Sequence, residues 1–121
     1  MKTVLIIEDN LKNMKLTSDL LEVKGYAVLT ADNAEAGLTL AAEHLPDLIL
    51  MDIQMPGVDG FTALTRLREA PATAAIPVAA FTASVMTTDR ARISEAGFDA
   101  FIGKPIRMKE FLATVAELCQ E

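Results

Sequence analysis

The sequence lacks most of the features that secreted, membrane-inserted or nucleic-acid-binding proteins need. Its one cysteine, Cys119, cannot form an internal disulfide bond. The apolar run at the N-terminus is too short for a signal peptide, and no run approaches the length of a membrane span. Eleven basic residues against seventeen acidic ones give a net charge of −6, which repels a phosphate backbone. We therefore expect a cytoplasmic protein with no membrane insertion and no direct nucleic-acid binding.

Aromatic residues are also scarce, at 5% of the chain, and tryptophan is absent. The rest of the composition is typical of a folded protein, with 51% hydrophobic and 23% charged residues. A chain of 121 residues is long enough for one compact domain with a core and too short for two ordinary domains. We expect a single domain that spans residues 1–121.

Short apolar runs recur along the chain and have the length and composition of buried strands. They are TVLII at 3–7, AVLTA at 27–31, LILM at 48–51, VAAF at 78–81 and AFIG at 100–103. Stretches with a helical spacing of apolar residues follow each run. Alternating strands and helices with continuous apolar strands favour a parallel sheet covered by helices on both faces. The predicted fold class is α/β, a doubly wound (βα)₅ domain.

Residues that favour helix ends separate these elements. Asn10, Asn33 and Asp59 are placed to cap the first three helices. Gly25 and Gly97 are placed to end the first and the fourth helix. This punctuation supports the alternation of strands and helices.

Polar residues follow four of the predicted strands. Glu8 and Asp9 come after the first strand, Asp52 after the third, Thr82 after the fourth and Lys104 after the fifth. In a doubly wound sheet, ligands bind in the crevice beyond the carboxyl ends of the strands. We expect these acids, the hydroxyl and the amine to converge at that edge.

The acids at this edge need a compensating charge. Two carboxylates about 4 Å apart repel by about 4 kcal/mol at an effective dielectric near 20, so several in one crevice imply a divalent cation. Oxygen ligands without histidine or cysteine favour a hard ion such as Mg²⁺. We expect Asp9 and Asp52 to bind Mg²⁺ directly and Glu8 to act through a water. The backbone carbonyl of Gln54 would complete the protein's share.

The same edge suits a phosphoryl group. Mg²⁺, the ammonium of Lys104 and the hydroxyl of Thr82 all favour phosphoryl oxygens. A carboxylate can act as the nucleophile and form an aspartyl phosphate, and Asp52 is the predicted acceptor because it ends the central strand. Each residue alone has an ordinary structural interpretation as a turn, cap or surface residue. Their shared placement is what favours a site.

With these residues in place, the whole chain resembles the receiver domain of two-component response regulators. The motifs that carry the resemblance are IIEDN at 6–10, LILMDIQMPGVDG at 48–60, FTA at 81–83 and GKPI at 103–106. The run EDNLKNMKLTSDLLEVKGY from Glu8 is similar to single-domain receivers of cell-division regulation and to receivers within hybrid kinases. The resemblance implies the flavodoxin-like strand order 2-1-3-4-5.

The resemblance also implies the roles of the site residues. Asp52 would accept a phosphoryl group from a phosphohistidine on a histidine kinase or histidine phosphotransferase, with Mg²⁺ on the ligands named above. Thr82 would turn its hydroxyl toward that group, Lys104 would pair with another of its oxygens, and Phe101 would be the switch aromatic whose burial changes. A cis peptide bond between Lys104 and Pro105 is implied as well. The chain would be a phosphoacceptor protein that promotes only its own phosphorylation and the hydrolysis of its aspartyl phosphate.

The predicted output surface comprises the fourth helix, the fifth strand and the fifth helix. Phosphorylation adds about −1.5 to −2 charges, which can bias a two-state element. The fourth helix is weakly apolar, with mainly Ala91, Ile93 and Ala96 to bury, so we expect it to be the least firmly packed. Because the chain ends after the fifth helix, we expect output by contact with a downstream protein. The expected state is a monomer or a weak phosphorylation-dependent dimer.

Three alternatives stay open. In the first, the chain is a receiver excised from a hybrid kinase or larger regulator. In the second it is a haloacid-dehalogenase-like phosphatase, and in the third it is a receiver-like binding module that is never phosphorylated. The phosphatases also use a strand-end Asp with Mg²⁺, but the position of their second acid holds Gln54 here, a poor general acid. The intact set of Asp9, Asp52, Thr82 and Lys104 argues against the inert module.

Overall fold

A computed structural model describes residues 2–53, 60–82, 87–103 and 106–119, without the side chains of residues 82 and 87–90. Strands and helices alternate along these residues as the sequence predicts. They are β1 Thr3–Ile7, α1 Leu11–Val23, β2 Ala27–Ala31, α2 Ala34–His44, β3 Leu48–Asp52, α3 Gly60–Glu69, β4 Val78–Thr82, α4 Thr87–Ala96, β5 Ala100–Gly103 and α5 Met108–Leu118. Strands β3 and β4 each extend one residue beyond the predicted apolar run, and the added residues are Asp52 and Thr82.

The strands form one parallel sheet in the order β2-β1-β3-β4-β5. This confirms the doubly wound α/β fold and the strand order that the resemblance implies. The direction in which strands are added reverses between β1 and β3, which is where ligands bind in such sheets. All five residues of β3 are buried, so the strand that ends in Asp52 is the centre of the sheet.

The side chains of each strand alternate between two separate cores. In β1, Val4 and Ile6 pack with residues of α1 and α5, whereas Leu5 and Ile7 pack with residues of α2, α3 and α4. This alternation is the period of two expected of a strand buried on both faces. The helices therefore cover both faces of the sheet, as predicted. Among the described residues, no helix has both the length and the apolar character needed to span a membrane.

The helix ends follow the predicted punctuation. The side chains of Asn10 and Asn33 each accept a hydrogen bond from the backbone N–H three residues later, at 3.1 and 2.8 Å. Gly25 and Gly97 have φ values of +92° and +103°, the left-handed conformation that favours glycine. The predicted cap Asp59 lies outside the described residues.

Helix α4 is held by fewer apolar side chains than the sequence predicts. Among its described side chains, at 91–96, Ile93 alone is buried, and the prediction that Ala91 and Ala96 would be buried is wrong. Ala91 lies about 200° around the helix from Ile93, and Ala96 is in the last turn, where solvent reaches it. The guanidinium of Arg92 lies 4.2 Å from the ring centroid of Phe61, which adds a contact with α3.

Two aspartates fasten the amino-terminal edge of the sheet in the same way. The backbone N–H of Asp47 donates to the carbonyl of Thr3, and its carboxylate accepts from the N–H of Thr3, both at 2.8 Å. Asp99 makes the same two bonds with Val78, also at 2.8 Å. Each aspartate directly precedes a strand, so each pair fixes how that strand enters the sheet beside its neighbour.

Candidate functional site

The register of the sheet brings Glu8 and Asp52 to neighbouring positions at its carboxyl edge. Ile7 of β1 pairs with Met51 of β3, and Glu8 and Asp52 are the next residues along the two strands. Both are buried, at 1% and 4% exposure, whereas Asp9 is exposed. Glu8 and Asp52 therefore lie at the bottom of the crevice, and Asp9 lies at its rim.

The structure brings the three predicted acids within metal-binding distance. One carboxylate oxygen each from Glu8, Asp9 and Asp52 lies within 4.8 Å of the other two. This donor set contains oxygen only, and hard divalent ions such as Mg²⁺ prefer carboxylate oxygens. The donor set thus fits the ion that the sequence predicts.

Backbone hydrogen bonds hold the buried acids from both sides. The N–H of Glu8 donates to the carbonyl of Ala31 at the end of β2, at 3.0 Å. The N–H of Ile53, directly after Asp52, donates to the carbonyl of Phe81 in β4, at 3.2 Å. Because these bonds continue the sheet, neither acid can retreat from its neighbour without breaking the ladder, and their mutual repulsion favours binding of a cation.

The other predicted site residues are described only in part. Thr82 is the last residue of β4 and pairs with Gly103, so its backbone lies at the same edge of the sheet as Asp52. The side chain of Thr82 lies outside the description, as do Gln54 and the Lys104–Pro105 segment with its predicted cis bond.

Phe101 lies in β5 on the same side of the sheet as α4. It is half-buried and packs against the core that contains Ile93 and Phe98. Phe98 in turn meets Phe61 edge-on, with ring centroids 5.7 Å apart. Phe101, the predicted switch aromatic, therefore belongs to the same cluster as Ile93, which is the one buried residue among the described side chains of α4.

Gly60 is a site neighbour that the sequence pattern does not single out. It is buried at the start of α3, and a Cβ built on it would lie 2.7 Å from the Cα of Ile53 and 3.1 Å from the carbonyl oxygen of Asp52. Sequence reasoning could have noticed a glycine where the third helix begins, because glycine destabilises a helix by about 1 kcal/mol relative to alanine and its presence there needs a reason. Without the register of the strands, nothing shows which backbone it approaches.

Comparison with known proteins agrees with this geometry. The family model described as the response regulator receiver domain matches residues 4–116. The chain belongs to this family. It is 46% identical over 114 residues to the polar-differentiation response regulator DivK of Brucella anthropi, covering 94% of this chain and 93% of that protein. The receiver is thus similar to DivK, and its resemblance to receivers of two-component signalling is confirmed.

Solved structures show the same receiver fold. A putative response regulator from Chloroflexus aurantiacus matches with a TM-score of 0.94 at 28% identity, covering 99% of this chain and 98% of that one. The receiver domain of a sensor histidine kinase from Pseudomonas aeruginosa matches with a TM-score of 0.91 at 26% identity, with the same coverage. In that structure, a magnesium ion is coordinated in the active-site cleft.

Proposed function

We propose that this receiver is a phosphoacceptor switch in which Asp52 takes a phosphoryl group from a phosphohistidine on a histidine kinase or histidine phosphotransferase. The observation that carries the proposal is the group of Glu8, Asp9 and Asp52, whose carboxylate oxygens lie within 4.8 Å of one another. Asp52 is the acceptor because it ends the fully buried central strand at the edge where the other two acids meet it. The proposal takes residues 1–121 as one receiver domain.

The transfer is a displacement at phosphorus. A carboxylate oxygen of Asp52 attacks, the P–N bond to the donor imidazole breaks, and its electron pair stays on the imidazole nitrogen. The product is an aspartyl phosphate on this chain and a free histidine on the donor. Hydrolysis of that acyl phosphate by water returns the carboxylate, and we propose no activity on other substrates.

The acids also define how the receiver would hold a metal ion. Asp9 and Asp52 would bind Mg²⁺ directly, Glu8 would act through a water, and the carbonyl of Gln54 would complete the protein's share. When bound, Mg²⁺ neutralises charge on the carboxylates and on the phosphoryl oxygens. The buried position of Glu8 and the exposed position of Asp9 support this division, because the ion must remain open to the donor on one side.

The remaining steps carry the signal from the site to a surface. We propose that Thr82 and Lys104 bind phosphoryl oxygens and that Phe101 changes its burial in response. The shared cluster of Phe101 and Ile93 supports this route, because a change at Phe101 acts on the buried anchor of α4. The output surface would be α4, β5 and α5, recognised by a downstream protein, with the receiver as a monomer or a weak phosphorylation-dependent dimer.

Two exposed apolar side chains lie where a phosphohistidine donor would have to approach. Leu11 begins α1 and is 70% exposed, and Met108 begins α5 and is 55% exposed. Both helices follow strands at their carboxyl ends, so both residues lie toward the edge of the sheet that holds the acids, and we assign them to the rim that a donor would contact. Exposed apolar residues at a rim favour contact with a protein partner.

Incubation with Mg²⁺ and acetyl phosphate, followed by intact mass measurement, tests the proposal. The wild-type chain should gain one phosphoryl group, and Asp52→Asn should not. Continuous turnover of simple phosphate esters would favour the phosphatase alternative. No gain of mass from acetyl phosphate or from a phosphorylated kinase would favour the inert binding module.

A further inference from the structure

We propose that Gly60 is a positioning residue for Asp52, because only a residue without a side chain lets α3 begin directly against the peptide that follows the acceptor. This inference rests on the proposed function of Asp52. A Cβ on Gly60 would lie 2.7 Å from the Cα of Ile53, 3.0 Å from its Cγ2 and 3.1 Å from the carbonyl oxygen of Asp52. Gly60 is itself buried, so the space cannot be enlarged toward solvent.

The same peptide is held on its other side by β4. The N–H of Ile53 donates to the carbonyl of Phe81 at 3.2 Å, and Asp52 pairs with Phe81 in the sheet. The Asp52–Ile53 peptide is therefore enclosed between a strand and the first turn of a helix. A methyl group on Gly60 must displace the peptide, the helix or both.

A Cβ at position 60 would meet backbone atoms, and this determines how strongly the substitution would disturb the Asp52–Ile53 peptide. A side chain can rotate away from an added methyl group, but a Cα and a carbonyl oxygen move only when the chain moves. A displacement of about 1 Å at a reacting group can cost about 100-fold in rate. An alanine at position 60 should therefore impair phosphoryl transfer even in molecules that remain folded.

Gly37 provides a matched control, because it packs against the neighbouring strand β1. It lies in α2 and is buried, and a Cβ there would overlap Cδ1 of Ile7 and lie 2.6 Å from its Cγ1. The atoms it would meet belong to a side chain, although Ile7 directly precedes Glu8. Gly37→Ala should thus lower stability, and removing the opposing side chain with Ile7→Ala should relieve the overlap.

The experiment measures the rate of phosphorylation by acetyl phosphate at saturating Mg²⁺ and the rate of hydrolysis of the aspartyl phosphate, both per folded molecule. Circular dichroism gives the folded fraction of each variant. Gly60→Ala should lower the phosphorylation rate by at least about tenfold. Adding Ile53→Ala should not restore the rate, because the Cα and the Asp52 carbonyl remain. Gly37→Ala should stay within about threefold of wild type, and adding Gly37→Ala to Ile7→Ala should cost less stability than adding it to wild type.

The outcomes separate this inference from the proposed function. If wild type is not phosphorylated, the proposed function fails; if wild type reacts and Gly60→Ala reacts at the same rate per folded molecule, only the positioning role of Gly60 is overturned. Equal losses in Gly60→Ala and Gly37→Ala would indicate a general packing effect and would also overturn it. If Gly60→Ala is unfolded in buffer, the assay is repeated in trimethylamine N-oxide, which favours the compact state. A chain that stays unfolded there would make Gly60 a folding requirement and contradict the inference.

Discussion

Arg68 donates a hydrogen bond from Nη2 to Oδ2 of Asp99 at 3.0 Å, and the same carboxylate oxygen accepts from the N–H of Val78 at 2.8 Å. The Nη1 of Arg68 also donates to the carbonyls of Ala74 and Ile76, at 3.1 and 2.7 Å. A single guanidinium thus joins the last turn of α3, the loop before β4 and the residue before β5. These bonds lie at the end of the sheet opposite the acids.

Replacing this guanidinium should destabilise the domain without affecting its chemistry. Arg68→Met keeps most of the aliphatic stem and removes the donors, so the free energy of unfolding should fall by about 1–3 kcal/mol. The lower half of the range is expected, because the Arg68 and Asp99 side chains are 29% and 43% exposed and solvent screens the pair. Urea denaturation measures the change. Arg66→Met, on the same helix but exposed, should change stability little; equal losses in the two variants would contradict the account.

Leu45 offers a site at which glycine should increase stability. Its φ is +48° and its ψ +62° at the end of α2, and its side chain is 54% exposed. A left-handed conformation costs a residue with a side chain about 1 kcal/mol, whereas glycine adopts it freely. Leu45→Gly should raise the free energy of unfolding by about 0.5 kcal/mol or more. Val23→Gly, at an 84% exposed helical position, should lower it, and a fall in both variants would contradict the interpretation.

The acid group predicts a specific effect of Mg²⁺ on stability. A ligand that binds only the folded state raises the free energy of unfolding by RT ln(1 + [L]/Kd). The wild-type midpoint of thermal unfolding should therefore rise with Mg²⁺ concentration, and the rise should be largely lost in Asp9→Asn and Asp52→Asn. Glu43→Gln removes an exposed acid of α2 outside the group and should keep the full rise. An equal rise in all four proteins would indicate non-specific binding.

The exposed position of Leu11 predicts that a substitution there slows phosphoryl transfer from a protein donor more than transfer from a small-molecule donor. Leu11→Lys should slow transfer from a phosphorylated histidine phosphotransferase by about tenfold, because it replaces an apolar contact next to the site. The same change should leave phosphorylation by acetyl phosphate within about twofold, because the small donor needs no such contact. Val23→Lys, about 18 Å away at the other end of α1, should alter neither rate. Equal slowing with both donors would place the effect of Leu11 in the site itself.

The sequence predicts the strands and the acids well because both depend on local signals. The run LILM and the following Asp52 show a buried strand that ends in a charge, and Asn10 and Asn33 form the caps that their types favour. Contacts between distant segments are less accessible to this reasoning. The overlap of Gly60 with Ile53 depends on how α3 returns to the sheet, and no local pattern contains that information.

The same limit explains where the predictions for α4 are wrong and where a feature is missed. Ala91 and Ala96 are apolar and suitably small, but Ala91 lies off the stripe that Ile93 turns toward the sheet, and Ala96 lies near that stripe but in the last turn, where solvent reaches it. Asp47 and Asp99 each precede a strand in the sequence, so the signal is present. Their reciprocal bonds to neighbouring strands become evident only with the strand order.

Chemical identification of the phosphorylated residue tests the central claim most directly. Borohydride reduces an aspartyl phosphate to homoserine, so the chain is treated with acetyl phosphate and Mg²⁺, reduced, digested and sequenced by tandem mass spectrometry. The account predicts homoserine at position 52 alone, dependent on both the donor and Mg²⁺. Homoserine at position 9, or none in a sample whose intact mass shows a phosphoryl group, would contradict it.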